Sequence, residues 1–293
     1  MSAAGTRATV LVFGGSDPSG GAGIAADIEA IGALGAHALA VITALTVQDN
    51  DRVFSVHPVA STLVRDQAQA LVDKMTIAAV KIGVLGDLAN AMAVAEIVRA
   101  LRKANPQLPV VLDPVLASGH GDALARGDAV AGVATLLPLA TLVTPNLPEA
   151  AALCAPADQP AAQAAMLRQS GCSNVLIKGG HAAGNAPQLV NIWYGRDQAG
   201  GRWHWPRLPG SFHGSGCTLA SAIAALLAQG MAMQPALVVA QSYCHEALKD
   251  AYAIAAGQLV PQRSLSMPPA PMALNTPIMH DCQYGQKISE EMK

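Results

Sequence analysis

An α/β fold built as a three-layer αβα sandwich, with a mostly parallel central sheet and an antiparallel edge hairpin, is the architecture this sequence predicts. Three observations predict it. Short β-branched and apolar runs alternate with longer Ala/Leu-rich helical patterns through most of the chain, an order that joins parallel strands by right-handed crossovers. The short runs are apolar throughout rather than every second residue, as strands covered on both faces would be. Polar residues and glycines gather just after the runs, at the carboxyl ends of a parallel sheet, where such sheets bind ligands.

Taken in order, Thr9-Val10-Leu11-Val12-Phe13 reads as the first strand and ends in Gly14-Gly15. A helix follows with Ile24, Ile28 and Ile31 on one face, stopping at Gly35. Ala40 to Leu45 is the second strand. The alternation continues with a helix over Val59–Met75, a strand over Ala79–Leu85, a helix over Asn90–Lys103, a strand over Val110–Asp113, a helix from Gly127 to Leu137 and a strand over Thr141–Thr144. A helix over Ala161–Ser170 precedes a strand over Asn174–Lys178. Leu189–Tyr194 and Arg202–Trp205, separated by a Gly/Asp segment, form the expected hairpin, and its Trp193 and Tyr194 offer a contact for a homodimer. Helices over Cys217–Gln229 and Pro235–Ala256 close the fold.

Composition limits the function classes. The chain has 293 residues, 52% of them hydrophobic and 13% charged, which suits a large globular core. A net charge of −2 gives no electrostatic footprint for nucleic acid. No run approaches the ~18 uninterrupted apolar residues of a membrane span, and the N-terminus has no signal-peptide pattern, so no membrane partner and a cytoplasmic location are expected. Five scattered cysteines without a C-x-x-C pair argue against a zinc cluster or a disulfide framework. A proline-rich stretch from Met267 to Pro271 breaks periodicity, so the expected division is one domain over 1–262 and a poorly ordered tail over 263–293.

Chemistry is best signalled by His213-Gly214-Ser215-Gly216-Cys217-Thr218, a glycine loop opening a helix that carries Leu219, Ile223, Leu226 and Leu227 at helical spacing. The first amides of a helix lack internal partners and hold an anion or a developing oxyanion. Cys217 in that field is expected to have a lowered pKa and to serve as base or nucleophile. The same residues also suffice to cap a buried helix, with Cys217 as a small core side chain. Two phosphate devices are absent or misplaced. No G-x-x-x-x-G-K-[ST] loop occurs, and Gly21-Ala22-Gly23-Ile24-Ala25-Ala26 matches the dinucleotide fingerprint but stands six residues beyond its strand. The other candidates follow strands: Asp17, Gln48, Asp113, Thr144, Asn146, Lys178 and Gly180.

Gly15-Ser16-Asp17-Pro18-Ser19-Gly20-Gly21-Ala22-Gly23-Ile24-Ala25-Ala26-Asp27, Val41-Ile42-Thr43-Ala44-Leu45-Thr46-Val47-Gln48-Asp49, Lys81-Ile82-Gly83, Leu112-Asp113-Pro114-Val115, Thr144-Pro145-Asn146-Leu147-Pro148-Glu149-Ala150, Lys178-Gly179-Gly180-His181 and the loop His213–Thr218 together resemble the hydroxymethylpyrimidine/phosphomethylpyrimidine kinases of thiamine biosynthesis, of the ribokinase-like superfamily. The resemblance runs from Val10 to about Ala256. It implies ATP and Mg²⁺ as cofactors and a small pyrimidine alcohol, or its phosphate, as substrate. Gln48 would bind the pyrimidine edge, Asp27, Gly15 and Ala22 its polar groups, and Val84 and Val115 its apolar side. Asn146, Lys178, Gly180, Asp113 and Thr144 would bind ATP. Glu149 and Asp113 would hold Mg²⁺. Gly214, Ser215 and Gly216 would stabilise the transferring phosphoryl group, with Cys217 as the base. Many members carry a glycine-flanked lysine where this chain has Gly257-Gln258, so one ATP contact is missing. Alternative readings are a pyridoxal or pyridoxine kinase, a non-catalytic pyrimidine sensor, and a Cys-His hydrolase on Cys217 with His213 or His181.

Overall fold

The computed structural model describes residues 6–181, 186–196 and 200–264. Its central sheet has nine strands in the order β3-β2-β1-β4-β5-β6-β7-β8-β9. The middle six strands are parallel: β2 (His37–Gln48), β1 (Thr9–Ser16), β4 (Ala79–Ile82), β5 (Val110–Leu112), β6 (Leu142–Val143) and β7 (Asn174–Ile177). Antiparallel strands finish both edges, β3 (Val53–Pro58) on β2 and the hairpin β8 (Gln188–Tyr194) with β9 (Gly200–Pro206) on β7.

Both faces of the sheet are covered, which explains the unbroken apolar runs. From β1, Leu11 and Phe13 enter a core shared with α2 (Ser61–Val72), α3 (Leu88–Ala104), α4 (Ala129–Leu136) and α6 (Pro160–Gln169). Val10 and Val12 point the other way, into a core shared with α1 (Gly23–Ala33), α7 (Ser215–Ala228) and α8 (Met233–Lys249). This period-2 division repeats in β7, where Val175 and Ile177 face the first core and Leu176 the second. Among the described residues, no helix is long and apolar enough to cross a membrane.

The structure departs from the sequence reading at five places. Strand β3 was not foreseen: Val53-Phe54-Ser55-Val56-His57-Pro58 pairs antiparallel with the far half of β2 after the turn at Asp49–Arg52. The short helix α5 (Leu147–Leu153) adds to the alternation, opened by a full capping box between Asn146 and Glu149. Helix α8 stops at Lys249 rather than Ala256, because the chain turns back and Tyr252 pairs with Val260. Trp193 is buried and donates to Asn174 Oδ1 at 3.1 Å, so it is a core residue and not a contact for a second copy. The boundary at 262 also falls one residue short of a core side chain, since Arg263 is buried. From Leu265 onward the expected tail lies outside the described residues.

Candidate active site

Every strand of the parallel set delivers its carboxyl end to one cavity of about 510 Å³, a size suited to small ligands. Its floor is the glycine loop before α7. Gly214 is the N-cap of that helix with φ of +76°, and a Cβ there would collide with the Gly21 carbonyl oxygen and lie 2.9 Å from Ala22 Cα, so only glycine fits. No side chain caps the helix. Its first amides, at Ser215, Gly216 and Cys217, therefore stand at the positive end of the dipole on the cavity wall.

A cation and two carboxylates meet those amides. Lys178 follows β7 and pairs with Asp113 Oδ1 at 2.9 Å, while Thr144 donates to the same oxygen at 3.1 Å. A Cβ on Gly216 would stand 3.3 Å from Lys178 Nζ and 3.4 Å from Asp113 Oδ2, so the absence of a side chain there keeps this corner open. Glu149 accepts from the Asn146 amide at 2.8 Å, and Asn146 Oδ1 accepts from the Glu149 amide. Burial pushes the Glu149 carboxyl up to about 7, against the pull of Lys178 and with Asp113 adding to the rise. Among the described residues, no three His, Cys, Asp or Glu side chains form a ready cation cage. Hard carboxylate oxygens from Asp113 and Glu149 suit Mg²⁺, which takes one or two carboxylates and fills its octahedron with water and phosphate.

The opposite end of the cavity combines one amide side chain with an apolar wall. Gln48, at the end of β2, faces the apolar side chains of Val84 and Val115, with Gly15 and Ala22 completing the wall. Asp17 organises this end: its Oδ1 accepts from the Ser19 amide at 2.8 Å, and its Oδ2 from the Ala22 amide at 2.7 Å and from His213 Nε2 at 2.8 Å. Burial raises the Asp17 carboxyl, but hydrogen bonds from His213, Ser19 and Gln48 outweigh it and hold the pKa at about 2. Two loops clasp above, through Arg52 with Asp122 at 2.6 Å and His120 with Asp51 at 3.0 Å. No sequence signal pairs those loops, because the partners are about seventy residues apart.

Of the residues expected at the site, Gly15, Ala22, Gln48, Val84, Asp113 and Val115 line the cavity. So do Asn146, Glu149, Lys178, Gly180, Gly214, Ser215, Gly216 and Cys217. Two do not. Thr144 is wholly buried and acts on Asp113. Asp27 is also wholly buried, paired with Lys81 Nζ at 2.8 and 2.9 Å and accepting from Ser221 Oγ at 2.6 Å, so it is correctly read as a core ion pair tying α1 to β4 and α7. Helical spacing explains it, since Asp27 shares the inward face with Ile24, Ala30 and Ile31. Burial works against the Lys81 ammonium, but Asp27, with Cys217 and Asp113, holds its pKa above the ordinary value.

The expected lowered pKa of Cys217 is corrected. Desolvation pushes this thiol up; Lys81 pulls it down, while the nearby Asp27 and Asp113 carboxylates push it further up. A helix N-terminus does not offset burial between two carboxylates. Where the resemblance leads one to expect a lysine, Gln258 reaches the cavity wall, its segment held by Asn50 Nδ2, which donates to the carbonyl oxygens of Ala256 and Gln258 at 3.2 and 3.0 Å.

Comparison with known proteins places this geometry in a group. The phosphomethylpyrimidine kinase family model matches residues 17–261. A hydroxymethylpyrimidine/phosphomethylpyrimidine kinase of Rhizobium meliloti is 38% identical over 263 residues, covering 86% of this chain and 94% of the relative. Among solved structures, a phosphomethylpyrimidine kinase from Clostridium difficile superposes with a TM-score of 0.69 at 31% identity, covering 82% of this chain and 99% of that one. A pyridoxal kinase from Staphylococcus aureus in complex with AMP-PCP and pyridoxal gives a TM-score of 0.76 at 27% identity, over 89% and 94% of the two chains.

Proposed function

Because the chain belongs to the phosphomethylpyrimidine kinase family, we propose that it transfers the γ-phosphoryl group of ATP to 4-amino-5-hydroxymethyl-2-methylpyrimidine, and then to the monophosphate so formed, in thiamine biosynthesis. One observation carries this reading: an anion-holding helix start with Lys178, Asp113 and Glu149 shares a single cavity with a ring-sized pocket ending in Gln48.

The chain's residues divide the work between donor and acceptor. Gln48 presents both a donor and an acceptor to the amino and ring-nitrogen edge of the pyrimidine, and Val84 and Val115 pack its apolar side. The amides of Ser215, Gly216 and Cys217 surround the transferring group, where charge builds on the phosphoryl oxygens. Lys178 neutralises a phosphate as a point charge, and Gly180 and Asn146 flank the nucleotide. Glu149 and Asp113 would hold Mg²⁺, which would supply further charge neutralisation there. The substrate oxygen forms its bond to the γ-phosphorus as the bond to the β,γ-bridging oxygen breaks, releasing ADP. Cys217 accepts the hydroxyl proton. Since its thiol is pushed up, only a minor fraction is thiolate at neutral pH, and turnover is expected to climb in alkali.

The same reading assigns residues 1–262, with Arg263, to the kinase body and the activity to the cytoplasm. A second substrate reading is favoured by the pyridoxal-bound relative, because pyridoxal also presents a hydroxymethyl group on a nitrogen-containing aromatic ring. Gln258 in place of a lysine favours a sensor that binds without turnover. Steady-state turnover with Mg-ATP and each alcohol separates the three. The expected result is kcat/KM at least about tenfold higher for the pyrimidine than for pyridoxal or pyridoxine, a difference of about 1.4 kcal/mol in transition-state binding. A preference for pyridoxal, or binding with no ADP released, overturns it.

A further inference from the structure

Arg263 is the largest wholly buried side chain among the described residues, and its place is unusual for a cation. Its Nε donates to Thr218 Oγ1 at 2.9 Å in the first turn of α7, and its Nη2 donates to the carbonyl oxygen of Gly21. Nη1 reaches Glu29 Oε2 at 3.1 Å, a half-exposed carboxylate that is the sole ion-pair partner found for it among the described residues. Thr218 Oγ1 in turn donates to the Gly214 carbonyl at 2.9 Å. One short backbone ladder and one side-chain bond deliver the arginine here: the His213 amide donates to the Leu259 carbonyl and the Leu259 amide to that of Ser211, and Tyr243 Oη donates to the Arg263 carbonyl at 2.7 Å.

Stability alone does not favour this choice. A desolvated guanidinium costs several kcal/mol before its bonds are counted, and a packed apolar side chain commonly does as well. The N-terminal end of α7 is also the positive end of its dipole, which repels a cation. What the fork does achieve is a fixed distance between two loops that belong to different ligands. The Gly20–Gly23 turn carries Ala22 at the acceptor end of the cavity, and the Gly214–Thr218 turn carries the amides at the phosphoryl end. Gly214 and Gly21 touch so closely that no Cβ fits between them, and Arg263 Nη2 lies 2.9 Å from where that Cβ would be.

We propose that Arg263 is a positioning residue for phosphoryl transfer: one planar fork holds the acceptor turn against the donor turn, so that the attacking oxygen lies in line with the γ-phosphorus. The inference rests on the kinase reading above. In-line transfer is sensitive to such registration, since a 1 Å misplacement costs on the order of 100-fold in rate.

The test uses the full-length chain and three substitutions: Arg263→Met, Arg263→Lys and Thr218→Val, the last removing the oxygen that the fork grips on α7. Turnover, KM for ATP and pyrimidine, separately titrated binding of each ligand, and thermal midpoint are measured. Expected are a kcat at least about 30-fold lower in Arg263→Met, binding of each ligand within about threefold of wild type, and partial recovery in Arg263→Lys. Thr218→Val repeats the kcat loss more weakly, and decides the matter if neither arginine variant folds. A lowered midpoint with kcat within twofold of wild type overturns the proposal, as does a loss confined to the affinity for one ligand. No turnover by the wild type would instead refute the kinase reading.

Discussion

Removing the ammonium of Lys81 while leaving Asp27 in place isolates a wholly buried charge. In Lys81→Met the Asp27 carboxylate keeps only the Ser221 hydroxyl as donor, inside a core where both side chains are at most 1% exposed. A charge left in that state costs about 3–5 kcal/mol. A ceiling follows from proton uptake: Asp27 can escape by taking a proton on folding, and from an ordinary value of 3.8 this costs roughly 4 kcal/mol at pH 7. The sign then fixes the pH dependence. Burial already raises the Asp27 carboxyl above 3.8 against the pull of Lys81, and losing the ammonium raises it further, so the variant's deficit is largest at neutral pH and shrinks as pH falls toward 3.8. Urea unfolding of wild type and variant at pH 5, 6 and 7 measures it. The double variant Lys81→Met/Asp27→Asn should recover at least about half the loss, because no charge is stranded. It should also keep a wild-type KM for the pyrimidine, since Asp27 does not reach the cavity. A deficit under about 1 kcal/mol at pH 7, or one independent of pH, refutes the reasoning.

Four further outcomes are expected. Cys217→Ala lowers kcat by about 10²–10⁴ while ATP binding persists, and wild-type kcat/KM rises with pH between 7 and 9, a slope absent from the variant; stopped pH profiles of both check it. Gln48→Ala weakens pyrimidine binding by roughly 1–3 kcal/mol and leaves ATP binding within about twofold, as read by titration calorimetry of each ligand. Asp17, held at about 2, contributes about 2 kcal/mol above pH 4 that is lost as pH falls through its folded value, so the urea-derived gap between wild type and Asp17→Asn should close between pH 4 and 2. Truncation after Ser266 leaves kcat within about twofold, whereas a chain ending at Gln262 loses the Arg263 fork and most turnover with it; one assay on both shortened chains decides this.

Much of the site was legible in the sequence because parallel sheets put function at one end of each strand. Gln48, Asp113 and Lys178 each stand at or just past the end of a recognisable apolar run, so the strand pattern brings them to one cavity, while the Gly214 loop is marked by the apolar helix that it opens. Asp27 was misplaced because a motif neighbourhood says nothing of which way a helix turns; its period with Ile24 and Ile31 carried that information. Cys217 was misjudged because the helix dipole is a local feature, while the opposing carboxylates of Asp27 and Asp113 arrive from distant segments. Strand β3 was hidden by its edge position and by its mix of Ser, His and Pro with apolar residues, and the clasp of Arg52 with Asp122 and the reach of Arg263 to Gly21 are long-range pairings with no periodic trace.

The central claim is that the amides at the start of α7 and the ring pocket at Gln48 serve one phosphoryl transfer. A ³¹P NMR time course of the full-length protein with Mg-ATP and hydroxymethylpyrimidine tests it most directly. The account predicts a phosphate ester resonance growing in step with ADP, followed by a diphosphate pair, and neither in Cys217→Ala over the same period. ADP formed with inorganic phosphate and no ester, or a spectrum that stays that of ATP, would contradict it.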